Sequence, residues 1–244
     1  MDVNALSVTL REFQYNNKAF WRNPAAAFFT FMFPLMFLVI FNGLFQQTQF
    51  YVPAIGAFAV ITACFTHIAM GVTISRDQGV LKRVRGTPLT PASYLIGRVL
   101  HAVFIGLILV AIVTIAGTLF YDVDPPSYVG RFVATLAAGA ASFCALGLAF
   151  TAVIPNEEAA PAVVNAAVLP LAFISDIFIP SDHAPEWIQT IADIFPIKHF
   201  AQAMLASFDP TFRDWSSSDL LVVALWGVGG LILAIRFFSW EPRR

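Results

Sequence analysis

Charged residues are scarce in this sequence, since Asp, Glu, Lys and Arg together supply 12% of its 244 residues. Soluble domains usually carry about 25% charged residues, so the composition excludes an ordinary soluble protein. The formal net charge of −1 gives no attraction to a polyanion, and we expect no nucleic-acid partner. Cysteine is rarer still, because only Cys64 and Cys144 occur, both within apolar runs. Two such thiols predict core packing rather than a disulfide or a metal site.

Catalytic motifs are also missing. No G-x-x-x-x-G-K-[ST] motif occurs, so the chain has no P-loop with which to bind ATP. An intramembrane serine protease needs a serine with a histidine partner, but Ser142 lacks a G-x-S-G setting, and His67 and His101 have the character of packing residues. Glu157-Glu158 lacks the arginine that completes a glutamate-rich membrane-protease motif. We therefore predict that the chain is not an enzyme and binds no cofactor itself.

What the sequence does contain is long uncharged runs. Residues 23–75 have no Asp, Glu, Lys or Arg, which is enough for two bilayer crossings of about 20 residues each. The polar stretch 46–49 divides this run near residue 48. Together with the later runs, it predicts six transmembrane helices over residues 25–45, 52–74, 98–120, 130–154, 160–180 and 219–239. The predicted fold class is all-α and polytopic, with residues 1–244 forming a single domain that comprises an interfacial helix (1–23) and a six-helix bundle (25–240).

The distribution of basic residues predicts the orientation of these helices. If the N-terminus is cytoplasmic, only Arg131, Lys198 and Arg213 fall on the exterior, which leaves 11 of the 14 basic residues inside. Basic residues are concentrated in the cytoplasmic loops of membrane proteins, so both termini are predicted to be cytoplasmic.

Other segments are too short or too polar to span. Residues 1–23 place Leu6, Leu10, Phe13 and Phe20 at helical spacing, which is typical of an amphipathic helix lying in the membrane interface. Between the last two predicted spans, Pro196 separates two short apolar runs, 186–195 and 197–208. These runs predict two short re-entrant helices in the outer leaflet, or alternatively a surface cap on the exterior.

A charged segment stands between predicted helices 2 and 3. Ser75 and Gln78 have the spacing of a capping box, which predicts a new helix beginning there. Gly86 and Pro88 would end this helix, and Pro91 would begin the next. Such a cluster serves either as a simple topology anchor or as a rigid docking surface for a cytoplasmic partner.

Four stretches carry a family resemblance. They are WRNP at the end of the amphipathic segment, FPLMFLVIFNGLF in helix 1, RDQGVLKRVRGTPLTPASYLIGR in the charged loop, and NAAVLPLAFISDIFIPSDHAPEWIQTIADIFPIKHFAQAML before the last helix. Their order and spacing resemble the transmembrane permease subunit of type-2 ATP-binding-cassette (ABC) exporters, along nearly the whole chain. The resemblance implies a bacterial inner-membrane permease that exports drugs, lipids or polysaccharides. It also implies a second permease subunit, identical or different, and a separate nucleotide-binding ATPase subunit that binds ATP and Mg.

The resemblance further implies a coupling helix in the loop between helices 2 and 3. The residues that would contact the ATPase subunit are Asp77, Gly79, Leu81, Lys82, Arg83, Arg85 and Pro88. Glu157 and Glu158 are a second candidate contact, although they also have the character of helix-capping residues. The loop departs from the family pattern at Arg76-Asp77, where the family commonly has Glu, and helix 5 departs at Ser175-Asp176, where the family commonly has Ser-Gly.

We also expect a path through the helix bundle for the transported cargo. We predict an amphipathic, lipid-like or drug-like cargo, because the candidate path is mainly aromatic with a few polar groups. Its residues are Phe31, Asn42, Phe58, Phe65, His67, Asn165, Phe173 and Asp176. An ion-coupled secondary transporter or a channel is the alternative. That alternative is disfavoured because ion coupling usually requires buried carboxylates, whereas the predicted spans offer only Asp176.

Overall fold

The computed structural model describes residues 5–85, 91–180, 184–209 and 215–240, and within these ranges it contains helices and loops but no strand. The helices are, in chain order, α1 (Ala5–Trp21), α2 (Pro24–Phe45), α3 (Thr48–Ile61), α4 (His67–Asp77), α5 (Val80–Arg85), α6 (Pro91–Tyr121), α7 (Val129–Phe150), α8 (Ala160–Ile174), α9 (Glu186–Ile194), α10 (Pro196–Phe208) and α11 (Ser217–Phe237). The all-α prediction is therefore confirmed for the described part of the chain.

Within the described residues, five helical segments are long and apolar enough to cross a membrane, namely α2, the continuous segment from Thr48 to Asp77, α6, α7 and α11. The predicted fifth span, 160–180, is not confirmed, because α8 ends at Ile174 after 15 residues. At 1.5 Å per residue it is about 22 Å long, which is shorter than a hydrocarbon core of about 30 Å. Asp176 has a left-handed φ of 57°, a conformation that ends helices. The chain is thus a multi-pass membrane protein with a short eighth helix.

The second span is one continuous segment containing a π-helical turn. α3 passes through Thr62–Thr66 into α4, and the Thr62 hydroxyl donates to the main-chain oxygens of Phe58 and Ala59, both at 3.0 Å. α7 packs closely here, because a Cβ atom on Gly147 would lie 2.7 Å from the main-chain oxygen of Phe65. The predicted division near residue 48 is confirmed, although α3 begins four residues before the predicted 52.

α1 lies against α6. A Cβ atom on Gly97 would lie 2.7 Å from the Cβ atom of Glu12, so only glycine permits this approach. Phe13 and Phe20 of α1 face the bundle and contact the ring of His101, whereas Leu6 and Leu10 are exposed. A helix is therefore present in the predicted N-terminal segment, with half of its apolar stripe covered by protein, and its position in the membrane interface stays a prediction.

α9 and α10 form the two predicted short helices, although their depth in a bilayer stays a prediction. α10 is buried by α3, α7 and α11, and the ring of Phe200 occupies the space that a side chain on Gly139 would need. His199 Nδ1 lies 2.7 Å from Asp219 Oδ1, and this hydrogen bond raises the pKa of His199 above its ordinary value. The contact fixes α10 to the beginning of α11.

Small residues bring α7 and α11 together. A Cβ atom on Gly227 would overlap Ser142, and one on Gly230 would lie 2.9 Å from Leu146 Cδ2. Gly229, by contrast, has no heavy atom within 4 Å of such a position. Close helix approach through small residues is a main source of helix association in membranes, so Gly227 and Gly230 define this interface.

We predict that Gly227→Leu separates α7 from α11 and destabilises the purified protein by about 1–3 kcal/mol, because overpacked interfaces are strained. Gly229→Leu is the matched control and is expected to retain wild-type stability. Thermal unfolding followed by size-exclusion chromatography in detergent measures both. Equal stability of the two variants would contradict the assigned interface.

Candidate functional site at the basic end of the bundle

Two loops meet at one end of the bundle, which we call the basic end and define by residues 75–85 and 151–159. The first contains the end of α4 and all of α5, and the second connects α7 to α8. Tyr51 and Phe178 lie at the opposite end, where the Tyr51 hydroxyl donates to the Phe178 main-chain oxygen at 3.4 Å. By the predicted topology, the basic end faces the cytoplasm.

The short helix of the charged segment begins later than predicted. α4 continues to Asp77, Gly79 turns the chain with a φ of 71°, and α5 begins at Val80. The capping-box prediction at Ser75 is wrong, because the Ser75 hydroxyl lies within α4 and donates to the Gly71 main-chain oxygen at 2.9 Å. The predicted beginning of α6 at Pro91 is confirmed.

Arg76 joins the two loops. Its side chain is 2% exposed, and its two terminal nitrogens donate to main-chain oxygens of Thr151 (3.0 Å), Ile154 (2.9 Å) and Pro155 (3.3 Å). Those carbonyl groups are accessible because α7 ends at Phe150 rather than at the predicted 154. A buried guanidinium with several acceptors is strongly held, because removing either side leaves polar groups unsatisfied.

Asp77 and Gln78 extend this junction to α8. Asp77 Oδ1 accepts from Arg76 Nε at 3.2 Å, and Asp77 Oδ2 accepts from the main-chain N–H of Glu157 at 2.7 Å. Gln78 Nε2 donates to Glu157 Oε2 at 3.0 Å. Asn156 Oδ1 accepts from the Ala159 N–H at 2.8 Å, as a helix-capping side chain does. The end of α4 therefore contacts both the end of α7 and the approach to α8. We call residues 76–78 with 151–157 the Arg76 junction.

α5 presents its basic side chains outward. Leu81 is fully buried, whereas Lys82 and Arg83 are exposed, and Arg83 Nη2 donates to the Gln78 main-chain oxygen at 3.4 Å. The structure thus gathers Asp77, Gly79, Leu81, Lys82, Arg83 and Glu157 at the basic end, together with the exposed Glu158. The Arg85 side chain and Pro88 lie outside the described residues. An apolar anchor carrying an exposed basic surface is suited to contact with a second protein.

The predicted path residues do not form one site. Phe58, His67 and Asn165 line a groove of about 690 Å³ between α2, α8 and the second span, which we call the lateral groove. Phe65 lines a separate apolar cavity of about 560 Å³ between α7, α8, α10 and α11. Phe31 stacks on Trp21, outside both.

The remaining predicted path residues lie away from the groove. Asn42 is buried with no side-chain partner among the described residues, and Phe173 contacts the ring of Phe178. The Asp176 carboxylate accepts from Gln202 Nε2 at 2.8 Å, which gives it a structural partner on α10. No three His, Cys, Asp or Glu residues approach one another as a metal site within the described ranges.

Sequence reasoning missed two features of this molecule. Arg76 stood out only as a departure from a family pattern, because its acceptors are main-chain atoms more than 70 residues away. An aromatic cluster around Phe178, formed with Phe37, Phe41 and Phe58 at centroid distances of 4.9–5.2 Å, was also missed. Phenylalanine is abundant throughout the spans, so no local pattern distinguishes these rings.

Comparison with known proteins relates this arrangement to one family. The family model described as "ABC-2 type transporter" matches residues 7–208. The daunorubicin resistance ABC transporter permease protein DrrB1 of Streptomyces coeruleorubidus is 26% identical over 239 residues, covering 91% of this chain and 82% of that protein. The putative transport permease ycf38 of Porphyra purpurea is 25% identical over 243 residues, covering 90% and 80%.

A further relative is longer than this chain. The probable multidrug ABC transporter permease YbhR of Escherichia coli K12 is 24% identical over 177 residues, covering 72% of this chain and 47% of that protein. The matched family region includes both loops of the basic end and α8 to α10.

We predict that Arg76→Met loosens the Arg76 junction, because three carbonyl groups and Asp77 lose a buried partner. The Glu157 amide should then exchange with solvent at least about tenfold faster, since local opening exposes it. Lys82→Met, which removes an exposed cation of the same loop, is expected to leave that exchange unchanged. Hydrogen–deuterium exchange of residues 151–159 measures the effect, and identical exchange in the two variants would contradict it.

Proposed function

This chain belongs to the ABC-2 type transporter family as a permease subunit, and we propose that it exports an amphipathic cargo using a separate ATPase subunit. The observation that carries this proposal is the Arg76 junction with α5 beside it. A movement imposed on α5 would reach α4, the end of α7 and the approach to α8 together, because the side chains of residues 76–78 connect all three.

The proposed contact with the ATPase subunit is made by the exposed face of α5. Leu81 anchors the helix in the bundle, and Lys82 and Arg83 point away from it. Exposed Glu158 lies in the adjacent loop and would give the partner a second charged contact of opposite sign. Complementary charges of this kind favour correct orientation and fast association more than they raise affinity.

The proposed cargo path is the lateral groove. It begins near the start of α2, runs along the π-helical turn and is lined by Phe58, His67 and Asn165. α2 carries two exposed aromatic residues that line this groove, Phe29 and Phe33. We propose that a second permease subunit, identical or different, covers the groove and completes the path, because one chain leaves it open.

The chemistry of the groove supports an amphipathic cargo. Its lining is mostly aliphatic and aromatic, with Thr62, Thr66, His67 and Asn165 as polar groups. Such a surface is typical of sites for small apolar ligands, in which a few polar groups set the orientation. The names of two relatives refer to daunorubicin and to multidrug transport, which is in keeping with a drug-like or lipid-like cargo.

We predict that the double reversal Arg83→Glu/Arg85→Glu abolishes export while the chain still inserts in the membrane, because two repulsive charges replace attractive ones at the proposed contact. Stimulation of the partner's ATPase activity by cargo should fall at least about tenfold. The measurements are ATP hydrolysis and cargo transport by the co-purified complex in proteoliposomes.

The matched control is Arg11→Glu/Arg236→Glu, which changes the charge equally on exposed residues outside α5. It should retain both export and stimulation. Wild-type export by the Arg83/Arg85 variant would refute the docking surface, and uphill transport by the chain alone on an ion gradient would refute the ABC mechanism.

A further inference from the structure

A polar cavity of about 230 Å³ lies between α1, α4 and α6, beside the beginning of α2. The coupling role of the basic end does not use it. Its lining includes Asn16, Phe20, His67, Gly71, Arg98 and His101, and no acidic side chain is among the described lining residues. We call it the Arg98 cavity.

Arg98 has no counter-ion among the described residues that line this cavity. Its Nη2 donates to Ser75 Oγ at 2.6 Å, and its guanidinium lies 5.2 Å from the centre of the Tyr94 ring. Its Nε is buried and has no hydrogen-bond partner among the described residues, which also provide no carboxylate within ion-pair distance. A partly desolvated guanidinium with an unused donor favours an anion at that position.

His101 adds a second unused group to the same cavity. The residue is 4% exposed, and its Nε2 has no partner among the described residues. The ring is fixed by edge contacts with Phe13 and Phe20, at centroid distances of 6.4 and 5.7 Å. In the tautomer that carries hydrogen on Nε2, it would donate to the same anion as Arg98.

The nearest acidic residue of α1 does not neutralise this cavity. Glu12 accepts two hydrogen bonds from Asn16. The Asn16 Nδ2 atom donates to Glu12 Oε1 at 3.0 Å and to the Glu12 main-chain oxygen at 2.8 Å. Glu12 is absent from the cavity lining and forms no ion pair with Arg98. The positive charge of Arg98 is therefore available to a ligand.

The Arg98 cavity adjoins the lateral groove. Ala26, His67 and Gly71 line both, so a polar compartment with a cation lies next to an apolar one. An occupant that fits both compartments has an anionic head and a hydrocarbon tail. Trp21 at the end of α1 is half exposed beside the cavity, as is typical of a residue at the membrane–water boundary.

We propose that the Arg98 cavity binds the phosphate headgroup of an anionic membrane phospholipid, with an acyl chain lying in the lateral groove. Arg98 and His101 donate to the phosphate oxygens, and the phosphate supplies the missing counter-ion. Binding requires neither nucleotide nor the ATPase subunit, so this inference stands or fails independently of the proposed export.

The test is a titration of the purified full-length chain in detergent with phosphatidylglycerol, with bound lipid counted by native mass spectrometry. Arg98→Gln keeps a donor for Ser75 and removes the charge, and it should weaken binding about tenfold or more. The matched control is Arg131→Gln, because Arg131 also lies over a tyrosine ring, that of Tyr128, at 4.3 Å. This control should bind lipid as the wild type does.

A second variant keeps the test decisive if Arg98→Gln fails to fold. Ala19 is exposed at the cavity lining, so Ala19→Phe fills the cavity without removing a charge and should also weaken binding. A parallel titration with inorganic phosphate separates a free anion from a lipid headgroup. Wild-type lipid binding by Ala19→Phe, an equal loss in Arg131→Gln, or binding of inorganic phosphate without phosphatidylglycerol would overturn the proposal.

Discussion

The buried guanidinium of Arg76 donates hydrogen bonds to three main-chain carbonyl groups that follow the end of α7. The rest of the basic end depends on this contact. It holds Asp77 in position to accept from the Glu157 amide, and that bond in turn fixes the approach to α8. One residue earlier, Ser75 accepts from Arg98 of α6. The last turn of α4 therefore contacts α6, α7 and the segment before α8, with α5 attached immediately after it.

Because the Arg76 junction holds its last turn, the second span connects the basic end to the opposite end of the bundle. The continuous segment from Thr48 to Asp77 is 30 residues long, which corresponds to about 45 Å of helix. At the opposite end it reaches the aromatic cluster through Tyr51, and midway its π-helical turn lines the lateral groove. A displacement entering at α5 thus has a connected route past the groove to the far side. Connected contacts of this kind provide a path for energetic coupling between α5 and the groove.

The sequence predicted those features that depend on local composition. Long apolar runs predicted the spans, Pro196 predicted the separation of α9 from α10, and Pro91 predicted the beginning of α6. The sequence-based prediction failed where tertiary contacts determine the helix boundaries. Ser75 has the spacing of a capping residue, yet it lies inside α4, where its hydroxyl donates to the main-chain oxygen of Gly71 one turn earlier. The predicted fifth span likewise failed, because α8 ends at Ile174 before the left-handed Asp176. The Asp176 carboxylate accepts from Gln202 of α10, a tertiary contact that no local pattern shows.

We expect α5 and the 151–159 loop to move as one body, because the Arg76 junction connects them. Spin labels on the exposed residues Lys82 and Glu158 report this directly, through pulsed dipolar distance measurements on the complex reconstituted with the proposed ATPase subunit. We expect the distance distribution between the two labels to be the same without nucleotide and with bound ATP. In the same samples, the distance from Lys82 to a label on Trp187 of α9 should change. A nucleotide-dependent change in the Lys82–Glu158 distance would contradict the account, because the two loops would then move independently.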